Sequence, residues 1–181
     1  MKTLIFWGTF VRDLNKLTLF TVLLTLLYTA NQAILVHTLK PISEDFITLQ
    51  LFADSTMFSE IISQWTGQQR QIFLDHFLYD SYHPLIYGTA LIFGMAYAFN
   101  YNDISSKFNA AVFLPVIASF CDLIENATHY FYVTNPTLIS DSLILFSKSV
   151  TYLKWGIAIL SLSIIVLCYA GVMSTTRSSP K

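Results

Sequence analysis

From Leu17 to Leu39 the chain contains no Asp, Glu, Lys or Arg, and three further stretches are nearly as apolar: Gln71 to Phe99, Phe108 to Val133 and Ser142 to Gly171. A bilayer's hydrocarbon core, about 30 Å thick, needs about 20 mostly apolar residues per helical span. A helix pairs its backbone groups within one segment, so it crosses lipid without unpaired N–H or C=O groups. The pattern predicts an all-α, polytopic membrane protein: four transmembrane helices in an up-down bundle, forming a single membrane domain over 1–181. The second span reaches full length only if Pro84 lies inside it. Composition agrees: 54% of residues are hydrophobic and 12% charged, about half the charged fraction of a soluble domain, with mean hydropathy +0.56.

The first span follows Lys2, Arg12 and Lys16 and so resembles a signal peptide, but its apolar run continues through Ala33 to Val36 without a small-x-small cleavage site. It reads as an uncleaved anchor. The preceding segment, Leu4 to Val11 with Trp7, fits the membrane interface. Lys2, Arg12, Lys16, Lys107, Arg177 and Lys181 fall on one side, and Lys40, Arg70 and Lys148 on the other. The excess of basic residues marks the cytoplasmic side, so both termini are placed there. The tail 174–181 has the composition of a disordered end.

Net charge is -1, so no global field recruits nucleic acid. The chain carries no phosphate loop or zinc-type cysteine spacing, and no cofactor is assigned. Cys121 and Cys168 belong near opposite membrane faces, too far apart for a bridge. The bilayer is the one partner that the composition names, and no protein partner is legible.

The outer loop, 40–70, is too long for a plain connection. Phe46 to Phe52 alternates apolar and polar residues and reads as extended. Met57, Phe58, Ile61, Ile62 and Trp65 recur at helical spacing, with Asp54 or Ser55 as a start and Gly67 as an end. This predicts a short amphipathic helix on the outer surface, packed on the bundle as a lid.

The polar residues within the spans converge on one level. His76, Asp80 and His83 stand at i, i+4 and i+7, with Tyr87 continuing their face. Asp122, Glu125, Asn126 and His129 share a face of the third span. Ser147, Thr151 and Lys154 form a stripe on the fourth, and Asn31 and Gln32 lie in the first span's outer half. At 1.5 Å rise per residue all fit into the outer half of the bilayer. Ionisable groups at such depth are costly and face the interior. Lys154 is within reach of Asp122 or Glu125, or else snorkels to the interface beside Trp155. Pro84 cannot donate to the carbonyl of Asp80, so a kink is expected there, and Pro115 likewise frees Ala111. The histidines match no metal signature, and no metal is assigned. Asn126-Ala127-Thr128 lies inside a span and is no glycosylation acceptor. Tyr79, Tyr82, Tyr130 and Tyr132 fit an outer aromatic belt.

Several of these pieces together resemble a pattern in small bacterial four-helix membrane proteins. They are Ser59 to Gly67, Asp80-x3-Pro-x2-Tyr-Gly88, Leu114-Pro115, Asp122-x2-Glu-Asn126 and Lys154-Trp155. That family brings no activity. The resemblance implies a bacterial inner membrane location and that Asp80, Tyr87, Asp122, Glu125, Asn126 and Lys154 belong together; His76, His83 and His129 stand outside the pattern. Emopamil-binding sterol isomerases are similar in architecture alone, placing carboxylates inside a four-helix membrane bundle, and transfer no residues.

The expectation is a site that binds or processes a small amphipathic or lipid-like molecule in the outer-leaflet half of the bundle. Glu125 or Asp122 would do acid–base work, with Lys154 setting its charge state, and Asp80 and Tyr87 would orient the substrate. Asp80, His83, Tyr87, Asn126, His129, Asn31 and Gln32 would line or support the site. The alternative is a non-enzymatic subunit whose polar cluster is glue or a partner contact. A proton-coupled carrier is a third reading, disfavoured by an inner half almost free of ionisable groups and by the lack of an internal repeat.

Overall fold

A computed structural model describes residues 14–172, and every regular element among them is helical. In chain order these are α1 (Leu14–Leu39), α2 (Ser43–Leu51), α3 (Ser55–Gln64), α4 (Gly67–Asp80), α5 (His83–Tyr101), α6 (Leu114–Thr134) and α7 (Asp141–Tyr169). Short 3-10 turns precede α2, α6 and α7. Three stretches, Asn15–Leu51, Lys107–Thr134 and Asp141–Tyr169, are long and apolar enough to cross a membrane, consistent with a membrane protein. The segment Leu4 to Val11, the charges Lys2, Arg12, Arg177 and Lys181, and the tail from Ser174 lie outside the described residues.

Several hydroxyls on the long helices are satisfied within their own helix. The hydroxyls of Thr25 and Thr29 donate to the carbonyls of Thr21 and Thr25, at 2.7 and 2.9 Å. Ser149 and Ser161 do the same on α7, each at 2.8 Å. A hydroxyl bonded four residues back needs no water, which suits a helix in apolar surroundings. Such helices also carry large side chains outward: Leu26, Leu145 and Phe120 are all more than 60% exposed.

The stretch expected as one second span is divided. α4 ends at Asp80, Ser81 and Tyr82 form a turn, and α5 starts at His83 with Pro84 in its first turn. The missing proline N–H is the cause, since it leaves the Asp80 carbonyl without its helical partner. Asn126 repairs the gap from α6, donating through Nδ2 to that carbonyl at 3.3 Å. Ser119, about two turns earlier on the same face of α6, donates to the Pro84 carbonyl at 2.6 Å. Gly88 permits this approach, because a Cβ there would stand 2.0 Å from the Ser119 Oγ. Pro115 opens α6 rather than kinking it, and the Ala111 carbonyl accepts from the Leu114 N–H in the preceding 3-10 turn.

The outer loop is more ordered than its sequence suggested. Phe46 to Leu51 is helical, within α2, rather than extended. The side chains of Phe46 and Leu49 pack inward as part of an apolar cluster with Phe58, Ile62, Trp65 and Phe73, and this tertiary packing outweighs the local alternation. Asp54 caps α3, accepting from the Met57 N–H at 2.8 Å. Gly67 starts α4 instead of ending α3: Thr66 and Gln69 form a capping box there, and α3 closes at Trp65. α3 buries Phe58 and Ile62 against the bundle, while Met57 is exposed. Arg70 ties the layer down, donating to the carbonyls of Val133 at 2.9 Å and Ile62 at 3.1 Å. Tyr132, expected in an aromatic belt, is instead 1% exposed and donates to the Leu143 carbonyl at 2.7 Å. Tyr79, Tyr82 and Tyr130 are exposed.

The long helices pack in the order α1, α5, α6, α7, and α5 also touches α7. α1 and α7 scarcely meet, and the space between them leads to the site.

Candidate functional site

α6 presents Asp122, Glu125, Asn126 and His129 on one buried face, and α7 answers with Ser147, Thr151 and Lys154, all buried. The spacings i, i+3, i+4, i+7 on α6 and i, i+4, i+7 on α7 make these stripes face each other where the helices pack. At their centre the Lys154 ammonium lies 2.6 Å from Glu125 Oε2 and 3.2 Å from Asp122 Oδ1. The other oxygen of Glu125, Oε1, accepts from Gln50 Nε2 at 2.7 Å. Glu125 is thus held at both ends and is completely buried, at 0% exposure. Lys154 does not reach for the interface; it is 6% exposed and sits between two carboxylates.

The histidines go to separate places. His129 Nε2 pairs with the Ser147 hydroxyl at 3.2 Å and is enclosed by Phe58 and Tyr132. His83 Nδ1 donates to Asn31 Oδ1 at 2.7 Å, and Asn31 Nδ2 reaches the Tyr79 carbonyl at 3.4 Å. Asn31 therefore ties α1 to the break between α4 and α5. His76 Nδ1 donates to the Phe73 carbonyl, and its Nε2 lies 3.9 Å from Asp80 Oδ2. Among the described residues, no three His, Cys, Asp or Glu side chains converge as a metal-holding group. Both cysteines are buried and free.

A cavity of about 810 Å³ opens beside the cluster. Its volume falls within the range of roughly 300–1,000 Å³ usual for small-molecule pockets. Asp80, His83, Tyr87, Asp122, Lys154 and Gln32 line one region, and Thr21, Leu91, Gly94, Leu162, Ile165 and Tyr169 line the other. The cavity separates the candidate residues into two sets. Asp80, Asp122, Lys154, His83, Tyr87 and Gln32 face it, whereas Glu125, Asn126 and Asn31 stand behind and hold Lys154, the Asp80 carbonyl and His83, and His129 stands behind paired with Ser147. The Tyr87 hydroxyl is buried, with Asp122 and Ser119 as its polar neighbours.

Gln50 is a candidate site residue that sequence reasoning missed. It faces the cavity from α2 and grips Glu125. The signal was present: Ser43, Phe46, Ile47 and Gln50 follow a 3.6-residue period and all line the cavity, but the same stretch also fits a two-residue alternation.

The arrangement is chemically a buried ion triad with two carboxylates, Asp80 and Asp122, turned toward a mostly apolar chamber. No known family matches the chain, and neither does any curated protein or solved structure.

Proposed function

We propose that the chain is a multi-pass membrane protein of four spans, α4 and α5 together making the second, with both termini in the cytoplasm. Its function on this reading is to bind or process a small amphipathic or lipid-like molecule, with the polar end of that molecule at Asp80 and Asp122. The observation that carries it is the cavity, which runs from charged side chains into an apolar groove and so matches a molecule that is polar at one end only. In a catalytic version Asp122 is the acid–base group, because it faces the cavity, while the enclosed Glu125 positions Lys154.

Asp122→Asn keeps the shape and removes the charge. Purified parent and variant are compared by ligand-dependent thermal shift against a panel of lipids and amphiphiles. A shift in the parent that the folded variant loses supports the reading. A parent that responds to none of them, with a variant that loses stability, favours a structural subunit instead. That second reading has its own support in the full pairing of Lys154 with Asp122 and Glu125.

A further inference from the structure

The head-end charges do not balance. Asp80, Asp122 and Glu125 bring three buried carboxylates to one level, against the single ammonium of Lys154. That ammonium is already taken up by Asp122 and Glu125. Asp80 is left over: it faces the cavity, is 9% exposed, and among the described residues its nearest recorded basic partner is His76 at 3.9 Å. A buried carboxylate without a close counter-charge is costly. An incoming anionic head would meet this surplus, and among the described residues lining the cavity Lys154 is the one ammonium, already engaged. A cationic head would complete the set. The Tyr87 hydroxyl, which neighbours Asp122 and Ser119, adds a further polar group to the cavity lining.

Below the head the groove has the dimensions of a chain. On α7 it continues from Lys154 to Tyr169, about 22 Å at 1.5 Å rise per residue, which exceeds a leaflet's half of the hydrocarbon core, roughly 15 Å. Its floor stays open because Ala90 and Gly94 on α5 and Ala158 on α7 are small. A Cβ at Gly94 would already touch Ile165 Cδ1 at 3.4 Å. Val36, Ile159 and Leu162 line the groove and are more than half exposed, so it opens sideways between α1 and α7.

From this juxtaposition we infer that the site takes a single-chain amphiphile with an alkylammonium head, Asp80 acting as the counter-ion and the α1–α7 groove holding the chain. The inference rests on the amphiphile-binding reading above and names the ligand class.

The test uses the full chain in zwitterionic nanodiscs, titrated with dodecylamine, dodecanol and dodecanoate, which share a chain and differ in head charge. Binding is read from thermal shift and from the fluorescence of Trp155, which lines the groove, with Trp155→Phe as the spectral control. The amine is expected to bind about tenfold tighter than the alcohol or the acid, the scale of one charge-assisted contact. In Asp80→Asn the ratio of amine to alcohol affinity should fall to about one. If the variant does not fold, the head series in the parent decides alone. Equal or tighter binding of the alcohol or the acid overturns the ammonium inference and leaves the groove reading standing. If none of the three binds, both fall together.

Discussion

Replacing Lys154 with Met tests whether the buried triad is held by its ammonium. Methionine fills a similar volume but leaves Asp122 and Glu125, 4% and 0% exposed, without their counter-charge. The two contacts at 2.6 and 3.2 Å correspond to roughly 6 and 5 kcal/mol of Coulomb attraction at an effective dielectric of about 20. Desolvating three ions cancels much of this, and removing one partner of such a buried set costs about 3–5 kcal/mol. In a domain of 150–250 residues each kcal/mol moves Tm by roughly 2–4 °C, so Lys154→Met should unfold about 6–20 °C below the parent. The assay is thermal unfolding in one detergent at pH 7, followed by near-ultraviolet circular dichroism. The triple variant Lys154→Met, Asp122→Asn, Glu125→Gln should regain most of the loss, because it removes the orphaned charges as well. A single variant within about 1 kcal/mol of the parent, or a triple variant no better than the single, would refute this account of the triad.

Two further outcomes follow from the helix break. Asn126→Ala should cost about 1–3 kcal/mol by orphaning the Asp80 carbonyl, and the same change should cost far less in a Pro84→Ala background, where residue 84 supplies its own N–H; a double-mutant cycle on denaturant or thermal midpoints reads the difference. Gly88→Ala should destabilise by about 1–3 kcal/mol as the new Cβ meets the Ser119 Oγ; Ser119→Gly should recover part of that in the double variant, and an undiminished loss there would show that the pressure comes from elsewhere.

Much of the site was legible because polar residues in an apolar chain carry so much information. Asp122, Glu125, Asn126 and His129 could share only one face of a helix, and the structure buries all four. Pro84 announced the disturbance at Asp80, though not that α6 would supply the repair through Asn126. The distinction between Asp122, facing the cavity, and Glu125, sealed behind it, was not legible, since residues three apart on one face differ only in how neighbouring helices cover them. Nor was the groove. Gly94 and Ala158 look like any small residues in a span, and nothing local says whether lipid or a partner helix fills the space beside them. The outer layer was misread at Phe46 to Phe52 because a short run that fits both periods is decided by what it packs on, here Phe73 and its neighbours.

If the proposed amphiphile enters through the sideways opening between α1 and α7, affinity takes on a different meaning. A chain that enters from the bilayer leaves one hydrocarbon environment for another, so the aqueous hydrophobic effect contributes almost nothing to its transfer. On that reading, discrimination among the surrounding lipids would fall to the head at Asp80 and to shape along the groove. The concentration that governs occupancy is a mole fraction in the leaflet, set by membrane composition and indifferent to the volume of water outside.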